Sequence, residues 1–186
     1  QFVILTKAQA KALAKNFIYE NEGIFDKDHV IARFCTSWAS TEEEIDAAYS
    51  EVSEELIDVI RKSLVNVRAF HEKQKQNSWF TSEDGKILGQ KVTPLNRVGV
   101  YVPGGKAVYP SSVLMNVVPA KVAGVPNIYM TTPCDAAGKV YPTTIVAAKE
   151  AGVDKIFKVG GAQAIAALAY GTESIPKVDK IVGPGN

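Results

Sequence analysis

The stretch KVGGAQAIAALAYGTESIPKVDKIVGPGN, Lys158 to Asn186, decides the fold. Ile156–Val159 is a short apolar run that stops at Gly160-Gly161. Ala162 to Tyr170 reads as a helix, small and apolar almost all round, closed by Gly171. A second apolar run, Ile181-Val182, leads into Gly183-Pro184-Gly185-Asn186. Strand, helix and strand, each strand followed by a glycine-rich turn, is the pattern of a parallel βαβ unit. A domain rarely ends on the loop where such a sheet presents its ligand, so the chain reads as a piece of something longer.

The same alternation runs backward from there. Val98–Val102 is a strand followed by Pro103-Gly104-Gly105. Ser111 or Ser112 is expected to cap a helix running to Ala123 and ended by Gly124, with Pro119 kinking or splitting it. Asn127–Thr131 is the next strand and Pro142–Ala151 the next helix, with Gly152 at its end. Strands recur every ~25–30 residues, the length of a βαβ unit, so the fold class is α/β: a parallel sheet with helices on both faces.

Residues 1–76 read as a preceding α-helical segment. Thr6 with Gln9 forms a capping box ahead of a stripe of Leu13, Phe17 and Ile18 that runs through Tyr19. Asn21, Gly23 and Asp26 break it, and Val30, Ile31, Phe34 and Trp38 have the spacing of a second short helix. Thr41 with Glu44 opens a third, burying Ile45, Ala48 and Tyr49. Ser53 caps a long fourth helix with Leu56, Val59, Ile60, Leu64, Val67 and Phe70 on one face, and Glu54 and Glu55 suit the dipole at its start. Composition shifts at Gln76-Asn77-Ser78, and Trp79-Phe80, Glu83-Asp84-Gly85 and Ile87-Leu88 suggest a two-stranded ribbon. The expected division is therefore 1–76 helical, 77–97 linker and ribbon, and 98–186 the parallel α/β part.

A net charge of +1 with interspersed signs and no Lys/Arg run argues against a nucleic-acid footprint. No apolar stretch approaches the ~20 residues that span a bilayer, and no signal peptide is visible, so no membrane partner is expected. Cys35 and Cys134 stand apart, which suits a reducing compartment.

Open α/β sheets bind ligands outside the carboxyl ends of their strands. Three such ends carry glycines: Pro103-Gly104-Gly105, Gly160-Gly161 and Gly183-Pro184-Gly185. Glycine lets a phosphate or ring approach the backbone, and the second loop also feeds a helix N-terminus, which favours anions. The competing reading is that these glycines only permit tight turns and close packing. No G-x-G-x-x-G or P-loop spacing is present. His29 and His71, both on expected helices, belong to no cluster with ligand spacing, so no metal ligand is assigned. Cys134 follows a strand end but has no neighbouring base in the sequence. Tyr101, Gln163 and Asn186 stand out as one polar or aromatic residue at each glycine-rich loop.

Arg97–Gly105, Tyr109–Asn116, Pro119–Val125 and the block Val159–Asn186 closely resemble the histidinol dehydrogenase family, and Phe70-His71-Glu72, Ser78-Trp79, Gly85 and Leu88-Gly89-Gln90 are similar too. The resemblance is continuous from about residue 41 onward, while residues 1–40 match poorly. It implies an NAD-dependent, zinc-requiring oxidation of L-histidinol through the aldehyde to L-histidine, by a cytoplasmic homodimer in histidine biosynthesis. It also implies a Rossmann-like cofactor domain lacking the usual glycine fingerprint, with cofactor contacts falling on Tyr101, Gln163 and Asn186. The family's zinc ligands and its Glu-His proton-transfer pair lie later in the sequence. No catalytic residue is therefore assigned here, and the chain alone is expected to be inactive. A non-catalytic nucleotide-binding or subunit-interaction module is the alternative. A thiol-dependent aldehyde dehydrogenase relative using Cys134 is a third reading.

Overall fold

The computed structural model describes residues 2–13, 20–33, 39–104, 108–135 and 137–184. The chain groups into two compact units, Gln1–Ser37 and Trp38–Asn186.

In the first unit, strand β1 (Phe2–Thr6) runs into helix α1 (Lys7–Leu13), followed by strands β2 (Glu20–Ile24) and β3 (His29–Arg33). The Thr6 capping box forms as expected. Gln9 N–H donates to Thr6 Oγ1 at 3.2 Å, and Thr6 N–H donates to Gln9 Oε1 at 3.0 Å. The three strands make an antiparallel sheet in the order β1-β3-β2. This corrects the expected helix through Val30 and Ile31, which are strand residues paired with Leu5 and Ile4. The turn before β3 is held by Asp26, whose carboxylate accepts from the N–H groups of Asp28 and His29. Phe17, Ile18, Tyr19, Phe34 and Trp38 lie outside the described residues.

The second unit opens with helices α2 (Glu42–Glu51) and α3 (Glu54–Glu72). Thr41 and Glu44 form the expected box, and Ser53 Oγ accepts from Leu56 N–H. The buried face of α3 is Ile57 and Ile60 with Leu64 and Val67 beside them, whereas Leu56, Val59 and Phe70 are exposed. That rotates the expected stripe: Ile57 belongs to the core face, and three of the residues assigned to it do not. Strands β4 (Trp79–Glu83) and β5 (Lys86–Gln90) form an antiparallel hairpin around an Asp84-Gly85 turn.

The chain then alternates through β6 (Arg97–Tyr101), α4 (Pro110–Val122), β7 (Asn127–Thr131), α5 (Pro142–Ala151), β8 (Lys155–Phe157), α6 (Gly161–Tyr170) and β9 (Lys180–Val182). Helix α4 starts one residue before the expected serine caps, with Pro110 in its first turn, where a missing N–H costs nothing. It also runs unbroken through Pro119, so the expected split does not occur. The only backbone bond a proline there deletes is the one to the Met115 carbonyl, four residues back.

All four strands are parallel, in the order β8-β7-β6-β9. Side chains alternate across the sheet. Val98, Val100, Ile128, Met130 and Ile156 face one core with α2, α3, α4 and α5, while Tyr101, Tyr129, Phe157 and Ile181 face the other with α6. The helical pair α2–α3 and the sheet therefore share one core. The free side of β8 is covered by the chain entering α2, where Ala39 bridges to Phe157 and Ser40 N–H donates to the Ile156 carbonyl.

Candidate functional site

The two ends of the parallel sheet are finished differently. At the amino end, carboxylates stitch the strands together. Asp179 Oδ2 accepts from the N–H groups of Asn96 and Arg97 at 3.0 and 2.8 Å, and Asp154 Oδ2 accepts from Ile128 N–H at 2.6 Å. At the carboxyl end the loops after β6, β7, β8 and β9 form a rim. From β6 the chain steps outward to β7 and β8, and α6 then carries it back across the other face to β9. The strand order reverses between β6 and β9, which is where open α/β sheets hold ligands.

The rim glycines pack against protein. At Gly183, with φ +132°, a Cβ would run into the Tyr101 carbonyl oxygen. At Gly160 it would stand 2.7 Å from the Pro133 Cβ, and at Gly104 3.0 Å from the Pro133 carbonyl and ring. Pro133, just past β7, is thus wedged between the loops after β6 and β8. At these three glycines the space a Cβ would take is filled by protein, as the close-packing reading requires. Gly105 and Gly185 lie outside the described residues.

The polar groups offered to a ligand gather instead at the start of α6. Gly160 is its N-cap, no side chain caps it from the usual position, and its first turn holds no acidic residue. The hydroxyl of Tyr101, at the end of β6, accepts from Gly161 N–H at 3.1 Å, so the phenol caps α6 from across the sheet. Gln163 is exposed, and its amide folds back over Gly161, with Oε1 2.8 Å from where a Cβ of that residue would be. Tyr101 and Gln163, far apart in sequence, therefore meet at one residue, Gly161. Asn186 lies outside the described residues.

Sequence reasoning missed two further rim residues. Pro133 carries no signal of its own in the sequence, because its place depends on the glycines packed against it. Thr131 sits beside Tyr101 in the sheet, fully buried, and its Oγ1 has no hydrogen-bond partner among the described residues. Nothing in the sequence marks a strand threonine as an orphan, because that depends on which atoms the next strands bring.

The histidines are engaged locally. His29, on β3 rather than a helix, has Nδ1 2.8 Å from Asp26 Oδ1, and His71 has Nδ1 2.7 Å from Gln74 Oε1. Among the described residues no group of three or more His, Cys, Asp or Glu is placed to hold a metal ion. Cys134 is exposed at the rim, its thiol 3.7 Å from the Lys158 carbonyl oxygen.

The family model for histidinol dehydrogenase matches residues 8–186. The chain belongs to the histidinol dehydrogenase family. The family match takes in residues where the quoted motifs show no likeness, extending it from about residue 41 back to residue 8. The histidinol dehydrogenase of Halalkalibacterium halodurans is 60% identical over 144 residues, 77% of this chain and 34% of that protein. The enzyme of Geobacter metallireducens is 50% identical over 187 residues, covering 100% of this chain and 42% of its own length. A crystal structure of histidinol dehydrogenase from Elizabethkingia anophelis superposes with a TM-score of 0.77 at 40% identity, over 82% of this chain and 36% of that one. The chain thus spans between a third and a half of the length of these family members.

Proposed function

We propose that this chain is the cofactor shelf of an NAD-dependent histidinol dehydrogenase, which oxidises L-histidinol through L-histidinal to L-histidine in histidine biosynthesis. The observation that carries this reading is the meeting of Tyr101 and Gln163 at Gly161, the first residue of α6, beside the reversal of strand order. A helix start capped only by the Tyr101 hydroxyl, with no acidic residue in its first turn, suits an anionic dinucleotide. The sheet order agrees with the first four strands of a doubly wound, Rossmann-like nucleotide-binding domain.

NAD, when bound, supplies the hydride acceptor. The chain's own part is positional. Tyr101 holds the Gly161 amide, Gln163 offers an amide that both donates and accepts, and Asn186 is the third polar contact this reading assigns. Holding the nicotinamide against the carbinol carbon replaces a chance encounter with a fixed one. In this reading the zinc and the proton-transfer pair come from sequence outside these 186 residues, and the complete enzyme is a cytoplasmic homodimer. Residues 98–186 then carry the cofactor site, packed in one unit with α2 and α3, and 77–97 form the connecting ribbon.

The test mixes the 186-residue chain with zinc, NAD and L-histidinol and follows reduced-nicotinamide absorbance, with NAD titrated in parallel by calorimetry. Binding without sustained turnover is expected. Sustained turnover overturns the division of labour, and absence of NAD binding overturns the shelf.

A further inference from the structure

The backbone bends sharply as it leaves β8. The Phe157 carbonyl accepts from Val159 N–H at 2.9 Å, which closes a tight turn centred on Lys158. The same oxygen accepts from Thr132 N–H at 3.0 Å, so one acceptor is shared between the turn and the end of β7. Soon after the turn comes Gly161, whose N–H donates to the Tyr101 hydroxyl. A small rotation at Lys158 is therefore carried to the start of α6.

The Lys158 side chain anchors this turn to α2. Its Nζ lies 2.6 Å from Glu44 Oε1, with Lys158 only 18% exposed. The other oxygen of Glu44 is already fixed, because it accepts from Thr41 N–H at 3.2 Å in the capping box. The carboxylate thus takes its place from its own helix end and passes that place on to the turn. Helix α2 grips the rim a second time through Glu51, which meets Lys139 Nζ at 2.8 Å. That loop is also held locally, since Asp135 Oδ1 accepts from the N–H groups of Ala137 and Lys139. At Lys158 the carbonyl oxygen meets the Cys134 thiol, a weak donor, at 3.7 Å.

We propose that Glu44 and Lys158 are positioning residues of the dinucleotide site, a strut by which α2 sets how the β8 turn presents the first amide of α6. The ammonium points to α2, which packs on the opposite face of the sheet from α6, so the pair acts through the turn and not by touching the ligand. This deepens the cofactor-shelf reading and rests on it. One substitution separates the strut from plain electrostatics by its sign. Glu44→Gln removes a negative charge, which by itself favours an anionic ligand, whereas a loosened turn disfavours it. Glutamine also completes a capping box, so α2 keeps its start.

The test measures NAD affinity by calorimetry, and Gly161 amide hydrogen exchange by NMR in the ligand-free protein, on the 186-residue chain. The variants are Glu44→Gln, Lys158→Met, Lys158→Arg and Glu51→Gln, with urea midpoints verifying that each folds. Glu44→Gln and Lys158→Met should each weaken NAD binding about three- to fivefold, the scale of one partly exposed ion pair, and speed Gly161 exchange. Lys158→Arg should restore both, and Glu51→Gln should leave both within about twofold of the wild type. Unchanged or tighter NAD binding by Glu44→Gln overturns the strut, and so does a Lys158→Arg variant no better than Lys158→Met. A wild type that binds no NAD overturns the cofactor reading instead. Gly161 exchange then still decides the strut, which an unchanged rate in Glu44→Gln overturns.

Discussion

Gly183 sits under the tightest local demand at the rim. Its φ of +132° lies in a region L side chains rarely adopt, and a Cβ would collide with the backbone of Tyr101, which cannot swing aside. Gly183→Ala should therefore cost about 2 kcal/mol or more in urea unfolding, and it should weaken NAD binding by shifting β6 against β9. A second residue-scale prediction concerns Glu150 on α5, which ties three helices together. Its Oε1 accepts from Arg61 Nη2 at 2.8 Å and from the Tyr49 hydroxyl at 3.0 Å. The Arg61 hydrogen bond holds the carboxyl below its ordinary value of 4.5, against a partial offset from burial. A carboxyl depressed in the fold stabilises above its unfolded pKa, and that contribution is lost as pH falls through the folded value. Glu150→Gln should thus trail the wild type by about 1 kcal/mol above about pH 5 and approach it near pH 3, the small figure reflecting a half-exposed Arg61. Tyr49, pushed up to about 12 by burial and then by Glu150, keeps its proton through this range. Its contribution is complete below pH 10.0 and is lost only as pH rises toward about 12. Urea midpoints across pH check both limbs.

At the scale of elements, capping is the clearest link from sequence to structure. Both capping boxes and the Ser53 cap form between the residues that signal them, because the groups involved lie three residues apart and need no tertiary help. Glu44 also extends beyond its own helix, since its second oxygen meets Lys158 Nζ at 2.6 Å at the end of β8. Thr41→Ala should then cost about 1 kcal/mol from the cap, measurable as a lower unfolding midpoint with unchanged slope. Strand β3 was illegible for the opposite reason. Val30 and Ile31 fit a helical spacing with Phe34 and Trp38, and their strand identity depends on Phe2–Thr6, a short run with no turn signal of its own. In α3 the choice of Ile57 over Leu56 and Val59 is set by where α4 and α5 lie, and periodicity alone leaves the stripe free to rotate by one position.

For the whole molecule, the parallel sheet was legible because strand, helix and glycine stop recur at βαβ length, and handedness leaves few ways to connect them. The sheet order follows once α6 is read as the return crossover. The site was half legible. Tyr101 and Gln163 could be singled out by type and by place on the rim, but their meeting at Gly161, the Pro133 wedge and the orphaned Thr131 hydroxyl arise only when the loops are assembled. The central claim is that NAD lies along this rim, between β6 and β9 and against the start of α6. The most direct test is amide chemical-shift mapping of the isotope-labelled chain titrated with NAD. The account predicts saturable shifts concentrated at Tyr101, Gly104, Gly161–Gln163 and Gly183, reduced in Gln163→Ala. Shifts centred elsewhere, or none at saturating NAD, would contradict it.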